Sequence, residues 1–289
     1  MKIERTSNAV VTVRFDDVAA GWEHWVLLRS DAHHDSTKCN RRLEKQHLDE
    51  MVNRDGSWAS FGDLFDAMNG KYDPRRNYDE VRPEDAGEDY YDRIVNHAED
   101  FYNPYAERCL LLGPGNHETA TLKHAGTNLT ARLVKALNKH LDKEGKTHRV
   151  NMGGYGGWIR FVFRVHSTKG QQLRLRYFHG AGGSAPVTKG VTHTNRQAVF
   201  LPDANIVING HNHNAYTLPL ARDRLTERGR QYKDIQWHGR IPGYKDDYDD
   251  GTTGYAVEKM MAPTPLGALW LHLTLEGDRV KHNLIEAIE

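Results

Sequence analysis

The stretch Leu110-Leu111-Leu112-Gly113-Pro114-Gly115-Asn116-His117-Glu118 governs the reading of this chain. Three leucines form the kind of short apolar run that makes a buried strand. Gly-Pro-Gly breaks it, and Asn116, His117 and Glu118 follow where the strand ends. Loops beyond the ends of a rigid sheet are where catalytic groups gather. An amide, an imidazole and a carboxylate in a row do nothing for packing, yet a merely polar turn explains them equally well. The decision rests on whether other segments send matching groups to the same place.

Residues 9–15 alternate loosely and predict a first strand. Residues 25–28 predict a second, running into Ser30-Asp31-Ala32-His33-His34-Asp35. Asn40 is a candidate N-cap for a helix with Leu43, Leu48 and Met51 on one face, closed by Gly56. Residues 57–61 predict a strand ending in Gly62-Asp63-Leu64-Phe65-Asp66. Residues 67–88, rich in Asp, Arg, Pro and Gly, predict an exposed loop. Tyr91, Ile94, Val95, Ala98, Phe101 and Tyr102 recur at helical spacing until Pro104. After the Leu110 strand, Leu129, Leu133, Val134, Leu137 and Leu141 mark an amphipathic helix starting near Thr127 or Asn128. Strand and helix alternate, the pattern of a layered α/β domain.

From about Arg149 strands dominate. Residues 158–165 predict one, 173–178 another that ends in His179-Gly180, and 205–208 a third that ends in Gly210-His211-Asn212-His213. Residues 232–238, 254–259, 269–275 and 280–285 predict more. No repeat, low-complexity tract or linker interrupts the chain. One domain over residues 1–289 is expected, with a loop-helix insertion at about 67–105.

Composition sets the outer bounds. A chain of 289 residues buries a substantial core. Lys+Arg and Asp+Glu balance at 39 each, so no global field favours nucleic acid or an anionic membrane, although local patches remain open. The first 17 residues hold no apolar leader and no run reaches membrane-spanning length. Cys39 and Cys109 match no metal or redox spacing and fit a reducing compartment, so a cytoplasmic protein is expected. Asp246-Asp247-Tyr248-Asp249-Asp250-Gly251 fails the EF-hand spacing and predicts an exposed loop.

Five predicted strands end in polar groups: Asp31/His33, Asp63/Asp66, Asn116/His117, His179 and His211/His213. Side chains two apart on an extended chain share a face. Asp31 and His33 can therefore approach one ion together, and His211 and His213 neighbouring positions, while His34 points away. Carboxylate, amide oxygen and imidazole suit divalent first-row metals. Without a thiolate, the set favours Mn, Fe, Zn or Ni over a purely structural zinc site. One Asp-x-His or His-x-His is more often surface or satisfied core than ligand. Five such groups, each at a strand exit, are hard to read as accident.

These segments resemble the signature of the calcineurin-like metallophosphoesterase superfamily, over about residues 25–215. The chain is also similar to uncharacterised phosphoesterases of phage genomes. The resemblance implies an α/β fold, a four-layer αββα sandwich of two mixed sheets flanked by helices. The site would lie at the strands' C-terminal ends, and the remaining C-terminal strands would complete the second sheet. Two divalent ions are implied, manganese first among the candidates. One would take Asp31, His33, Asp63 and His213, and the other Asp63, Asn116, His179 and His211. A hydroxide bridging them would be the nucleophile. His117 matches the family's non-ligand histidine near the leaving group, and Asp66 the carboxylate that orients it. Glu118 is left as a supporting or helix-N-terminal carboxylate.

The implied activity is phosphoester hydrolysis, favoured as that of a phosphodiesterase on nucleotides or nucleic acid. Protein phosphatases of the superfamily continue the second motif with Asp-Arg-Gly, but Asp66 is followed by Ala67-Met68, so that clamp is missing. Gly-Asp-Leu-Phe-Asp is similar to the motif of SbcD-type repair exonucleases, and a paired His-x-His is usual in phosphodiesterase branches. Glu118 is phosphatase-like and keeps a phosphomonoesterase open. A non-catalytic interaction module on the same fold is the other alternative. Tyr72, Arg75 and Arg76 are candidate substrate contacts, arginine for a phosphate and tyrosine for a base. A solvated loop paired with Asp79 and Glu80 explains them as well. The balanced charge favours a short or small substrate over long duplex DNA. No membrane partner is expected, and the oligomeric state is not legible.

Overall fold

Leu110, Leu111 and Leu112 are fully buried because their strand is covered on both faces. The computed structural model describes residues 1–68, 80–182, 188, 190–248, 251–252 and 255–289, the side chain of Tyr255 excepted. The chain runs β1 (Lys2–Ser7), β2 (Val10–Val18), β3 (Glu23–Arg29), α1 (Arg41–Asn53), β4 (Ser57–Phe61), α2 (Tyr90–Tyr102), β5 (Cys109–Gly113), α3 (Asn116–Ala125), α4 (Leu129–Lys143) and β6 (Asn151–Met152). It continues β7 (Gly156–Val165), β8 (Lys169–Phe178), α5 (Val191–Phe200), β9 (Ile206–Asn209), β10 (Tyr216–Leu225), β11 (Gln231–Arg240), the short α6 (Tyr255–Glu258), β12 (Gly267–Glu276) and β13 (Arg279–Ile288).

Two mixed sheets result. One has the order β13-β12-β3-β4-β5-β6, the other β1-β2-β7-β8-β9-β11-β10. Strands β3 to β6 are parallel, as are β8, β9 and β11. Val26, Leu28, Phe61 and Leu111 of the first sheet meet Val13, Phe161, Leu175 and Ile208 of the second in one core. The first sheet's other face, with Leu27, Trp58 and Leu112, packs on Leu48 and Met51 of α1, Ile94 and Ala98 of α2, and Leu133 and Leu137 of α4. Burial on both faces is why these strands read as continuous apolar runs. Beyond the second sheet, Leu201 and Ala204 after α5 pack on Val207, with Trp158 and Phe178 alongside. The layers are helix, sheet, sheet, helix, as expected.

Local signals set several boundaries. Asn40 Oδ1 accepts from the Leu43 amide at 3.0 Å and caps α1, while Asn128 Oδ1 does the same for Ala131 at 2.9 Å and caps α4. Other elements differ from expectation. The segment at 254–259, expected as a strand, carries the helical turn α6. The C-terminal hairpin β12–β13 completes the first sheet rather than the second, because Leu269 and Leu271 pair beside Leu28 and Val26 of β3. Strands β1, β6 and β10 and helix α5 were not expected, and α3 was foreseen only in the option of a helix N-terminus at Glu118. Helix α3 buries only Glu118 and Thr121 and α5 only Thr194, so neither shows an apolar stripe. Pro219 argues against a strand, but β10 is an edge strand, where proline is tolerated. The expected exposed loop at 67–88 is buried at Ala67, Glu80 and Asp85. Both cysteines are free and buried. Among the described residues no helix is long and apolar enough to cross a membrane.

Candidate active site

The C-terminal ends of β3, β4, β5, β8 and β9 converge, and each contributes side chains to one cavity or its wall. Close approach depends on glycine. A Cβ on Gly115 would lie 2.2 Å from Asp63 Oδ1, and one on Gly210 would lie 2.5 Å from Asp31 Oδ2. The backbone is strained at the same place: Asp31, His33, Asp63, His211 and His213 hold φ of 53, 48, 48, 77 and 53°. Left-handed conformations at non-glycine residues cost on the order of 1–3 kcal/mol each and cluster at functional sites.

Three overlapping groups of polar atoms converge here, one of them His33, Asp63 and His117. Asp31, His33 and His213 bring ligand-type atoms within 4.8 Å of one another, and Asp63, His179 and His211 do the same. Asp31 Oδ2 accepts from the His211 amide at 2.8 Å, while Oδ1 is buried without a hydrogen-bond partner, 3.6 Å from His213 Nε2. His33 donates through Nδ1 to Asp66 Oδ1 at 2.7 Å, which leaves its Nε2 lone pair buried and without a partner. His179 Nδ1 donates to the Phe61 carbonyl at 3.1 Å. Its Nε2 then faces Asn116 Oδ1 at 2.8 Å and Asp63 Oδ2 at 3.1 Å.

With that tautomer, three lone-pair bearers converge and no proton lies between them. Either a proton or a cation must occupy such a point. Against the cost of burial, the carboxylates of Asp63 and Asp31 hold the His179 pKa up at about 9. Those of Asp247 and Asp31 likewise hold His213 at about 10. Asp63 is depressed well below the usual carboxylate range, with His179 and His117 outweighing its burial. The outer nitrogens of His33, His179 and His213 face Asp66, a carbonyl and Asp247, the support that metal-binding imidazoles normally have. The donor set fits divalent cations.

One expected role changes. His117 Nδ1 lies 2.6 Å from the backbone carbonyl of Asp66 and 3.7 Å from its Oδ1. The carboxylate is taken instead by His33 and, at 3.0 Å, by Lys245 Nζ. Thus the main chain of Asp66 aims His117, and its side chain steadies His33. Glu118 is buried and accepts from the amides of Gly115 at 2.7 Å, Phe65 at 3.0 Å and Asp63 at 3.1 Å. Burial and the Asp63 charge push its pKa up to about 7. It ties the turn after β4 to the start of α3.

Three participants were not singled out from the sequence. Lys245 is buried in the cavity wall, 2.8 Å from Glu80, 3.0 Å from Asp66 and 3.5 Å from Asp247. Asp247, expected on an exposed loop, stands 3.4 Å from His213 Nδ1. Asp35 accepts from the amides of Asp66 and Ala67 at 2.6 and 2.9 Å, bracing the turn that carries Asp66. Tyr72, Arg75 and Arg76 lie outside the described residues.

No protein-family model matches the chain. No curated protein is similar to it in sequence. Solved structures do match. A metallophosphoesterase from Sphaerobacter thermophilus is 14% identical over 91% of this chain and 88% of its own, with a TM-score of 0.33. A calcineurin-like phosphoesterase of Bacillus subtilis is 11% identical over 91% and 90%, with a TM-score of 0.27. GAP50 of Plasmodium, described as the anchor in the inner membrane complex, is 11% identical over 91% and 84%, with a TM-score of 0.45. The chain's own fold and site define a two-sheet α/β protein whose strand ends gather aspartates, histidines and an asparagine around a candidate divalent-cation site.

Proposed function

We propose that this protein is a metal-dependent phosphoester hydrolase that prefers phosphodiesters. One divalent ion would be held by Asp31, His33, Asp63 and His213, and a second by Asp63, Asn116, His179 and His211. The observation that carries this reading is the convergence of His179 Nε2, Asp63 Oδ2 and Asn116 Oδ1, lone pairs at 2.8–3.1 Å that need a positive centre. When bound, a pair of such ions supplies a nucleophile at neutral pH and a sink for phosphate charge. The chain is taken as one domain with an insertion at about 67–105, because the two sheets share a core.

The remaining work falls to the protein's own groups. Because His117 Nδ1 donates to a carbonyl, Nε2 is the atom presented to the cavity. As an imidazolium it can give its proton to the departing oxygen, the task of an oriented acid. Lys245 bears on the choice of ester. It is the one lysine or arginine among the described residues lining the roughly 530 Å³ cavity, and three carboxylates already share it. Among the described lining residues, then, no lysine or arginine is left for the second negative charge of a phosphomonoester. Ala67 and Met68 also supply no guanidinium where phosphatases place one.

The test compares bis-p-nitrophenyl phosphate with p-nitrophenyl phosphate in Mn²⁺. Faster hydrolysis of the diester is expected. A strong monoester preference would overturn the choice of ester. A protein that binds no ions and hydrolyses neither compound would be a non-catalytic module.

A further inference from the structure

The outer face of the second sheet carries cations that the proposed chemistry does not use. On β7 and β8, Ile159, Phe161, Leu173 and Leu175 point into the core. The alternate positions, Trp158 and Arg160 on β7 and Arg174, Arg176 and Phe178 on β8, lie on the other face. Register sets Arg160 directly opposite Arg174, and Trp158 opposite Arg176. Like charges directly opposed across an antiparallel pair are destabilising. All three arginines bury an Nε that has no hydrogen-bond partner. Among the described residues one carboxylate pairs with them, Asp203, 3.7 Å from Arg174. This concentration occurs in a chain whose formal charges balance.

The face leads to the site. Arg176 Cζ lies 4.2 Å from the Phe178 ring centre and 5.3 Å from that of Trp158. Stacking uses the guanidinium's face and leaves its in-plane N–H groups for an acceptor. Phe178 immediately precedes His179. Between α5 and the end of the sheet sits a cavity of about 300 Å³, lined by Tyr155, Phe178, Arg196, Phe200 and Arg240 among others. Tyr155 stands with its ring centre 5.2 Å from that of His179. From Arg174 to His179 the strand covers about 16 Å.

We propose that Arg160, Arg174 and Arg176 hold the phosphodiester backbone of single-stranded nucleic acid, and that the aromatic cavity beside them receives a base. Guanidinium forks and stacking rings together are what such a strand requires. A stacked duplex offers no free base to the cavity. A membrane surface fits less well, because Trp158 and Phe178 are half-buried rather than protruding. Delivery of the strand to the metal cluster rests on the phosphodiesterase reading, whereas binding to the face does not.

The test is fluorescence anisotropy of a labelled oligothymidylate of about a dozen nucleotides, with the full chain in EDTA so that nothing is cleaved. Arg174→Gln with Arg176→Gln should weaken binding about tenfold or more and flatten the log–log salt dependence by about 1.4, for two phosphates at about 0.7 each. Hydrolysis of bis-p-nitrophenyl phosphate in Mn²⁺ should be unchanged. Arg160→Gln relieves the cross-strand repulsion, so it should weaken binding without lowering Tm, which separates lost contact from misfolding. Unchanged affinity and salt slope in these variants would overturn the proposal. So would a parent protein that binds phosphatidylserine vesicles but not the oligonucleotide. If the parent binds the strand but cannot hydrolyse the diester, the phosphodiesterase reading fails and the binding surface stands.

Discussion

Asp66→Ala separates two ways in which this carboxylate could act. The side chain is buried and lies 2.7 Å from His33 Nδ1 and 3.0 Å from Lys245, while its backbone carbonyl receives His117. Truncation removes the acceptor that fixes the His33 ring and leaves the His117 contact in place. Lys245 keeps Glu80 at 2.8 Å and Asp247 at 3.5 Å, so its charge is not stranded. Loss of a partner that orients a metal-binding imidazole typically costs 10–100-fold in affinity, about 1.4–2.7 kcal/mol. Mn²⁺ titrations of binding and of diester hydrolysis read this directly. The apparent metal Kd should rise 10–100-fold while kcat at saturating metal returns close to the parent value. Asp66→Asn keeps an acceptor for His33 and should recover most of the loss. Unchanged metal affinity with a large fall in kcat would refute the assignment and return the carboxylate to His117.

Other outcomes follow from the same geometry. His117→Ala should retain metal yet lower turnover by about 10²–10⁴, most for poor leaving groups; loss of metal content would make His117 a ligand instead. With His179 and His213 held at about 9 and 10, both carry protons at pH 7.5 until cations displace them. Calorimetry in buffers of different ionisation enthalpy should therefore show about two protons released on loading, and none would contradict the convergence argument. His24, buried at 8% exposure and 3.0 Å from Ser57 Oγ, is lowered by burial from 6.5 to about 4. Its folded pKa is depressed, so the unfolded chain takes the proton first. Its contribution is complete above pH 6.5 and is lost as pH falls toward 4, up to about 3 kcal/mol. Urea unfolding of His24→Gln should show a shallower loss over that window, and an identical slope would exclude the effect.

Four of the five strand exits were legible because they combine a short apolar run, a glycine and a polar residue, as at Phe61-Gly62-Asp63 and Asn209-Gly210-His211, while Ser30-Asp31-Ala32-His33 follows its apolar run without a glycine. The cap at Asn40 was equally plain, and the start of α4 was narrowed to Thr127 or Asn128, of which Asn128 is the cap. What escaped was contact between distant segments. Lys245 and Asp247 come from an acid-rich stretch whose local composition says only solvent, and tertiary packing sets them against Asp66 and His213. The carbonyl of Asp66 could not be foreseen as the partner of His117, because composition says nothing about which main-chain group faces a side chain. Helix α3 escaped for a different reason. Its first turn is occupied by site residues and its glutamate caps it by reaching back to Gly115, so the usual apolar stripe is absent.

The central claim is that divalent ions held at the strand ends drive diester hydrolysis. Metal analysis of the purified chain, paired with bis-p-nitrophenyl phosphate turnover before and after chelation, tests it most directly. The account predicts about two ions per chain, activity abolished by chelation and restored by Mn²⁺, and loss of both ions in Asp63→Asn. Undiminished hydrolysis by the metal-free protein, or full occupancy in Asp63→Asn, would contradict it.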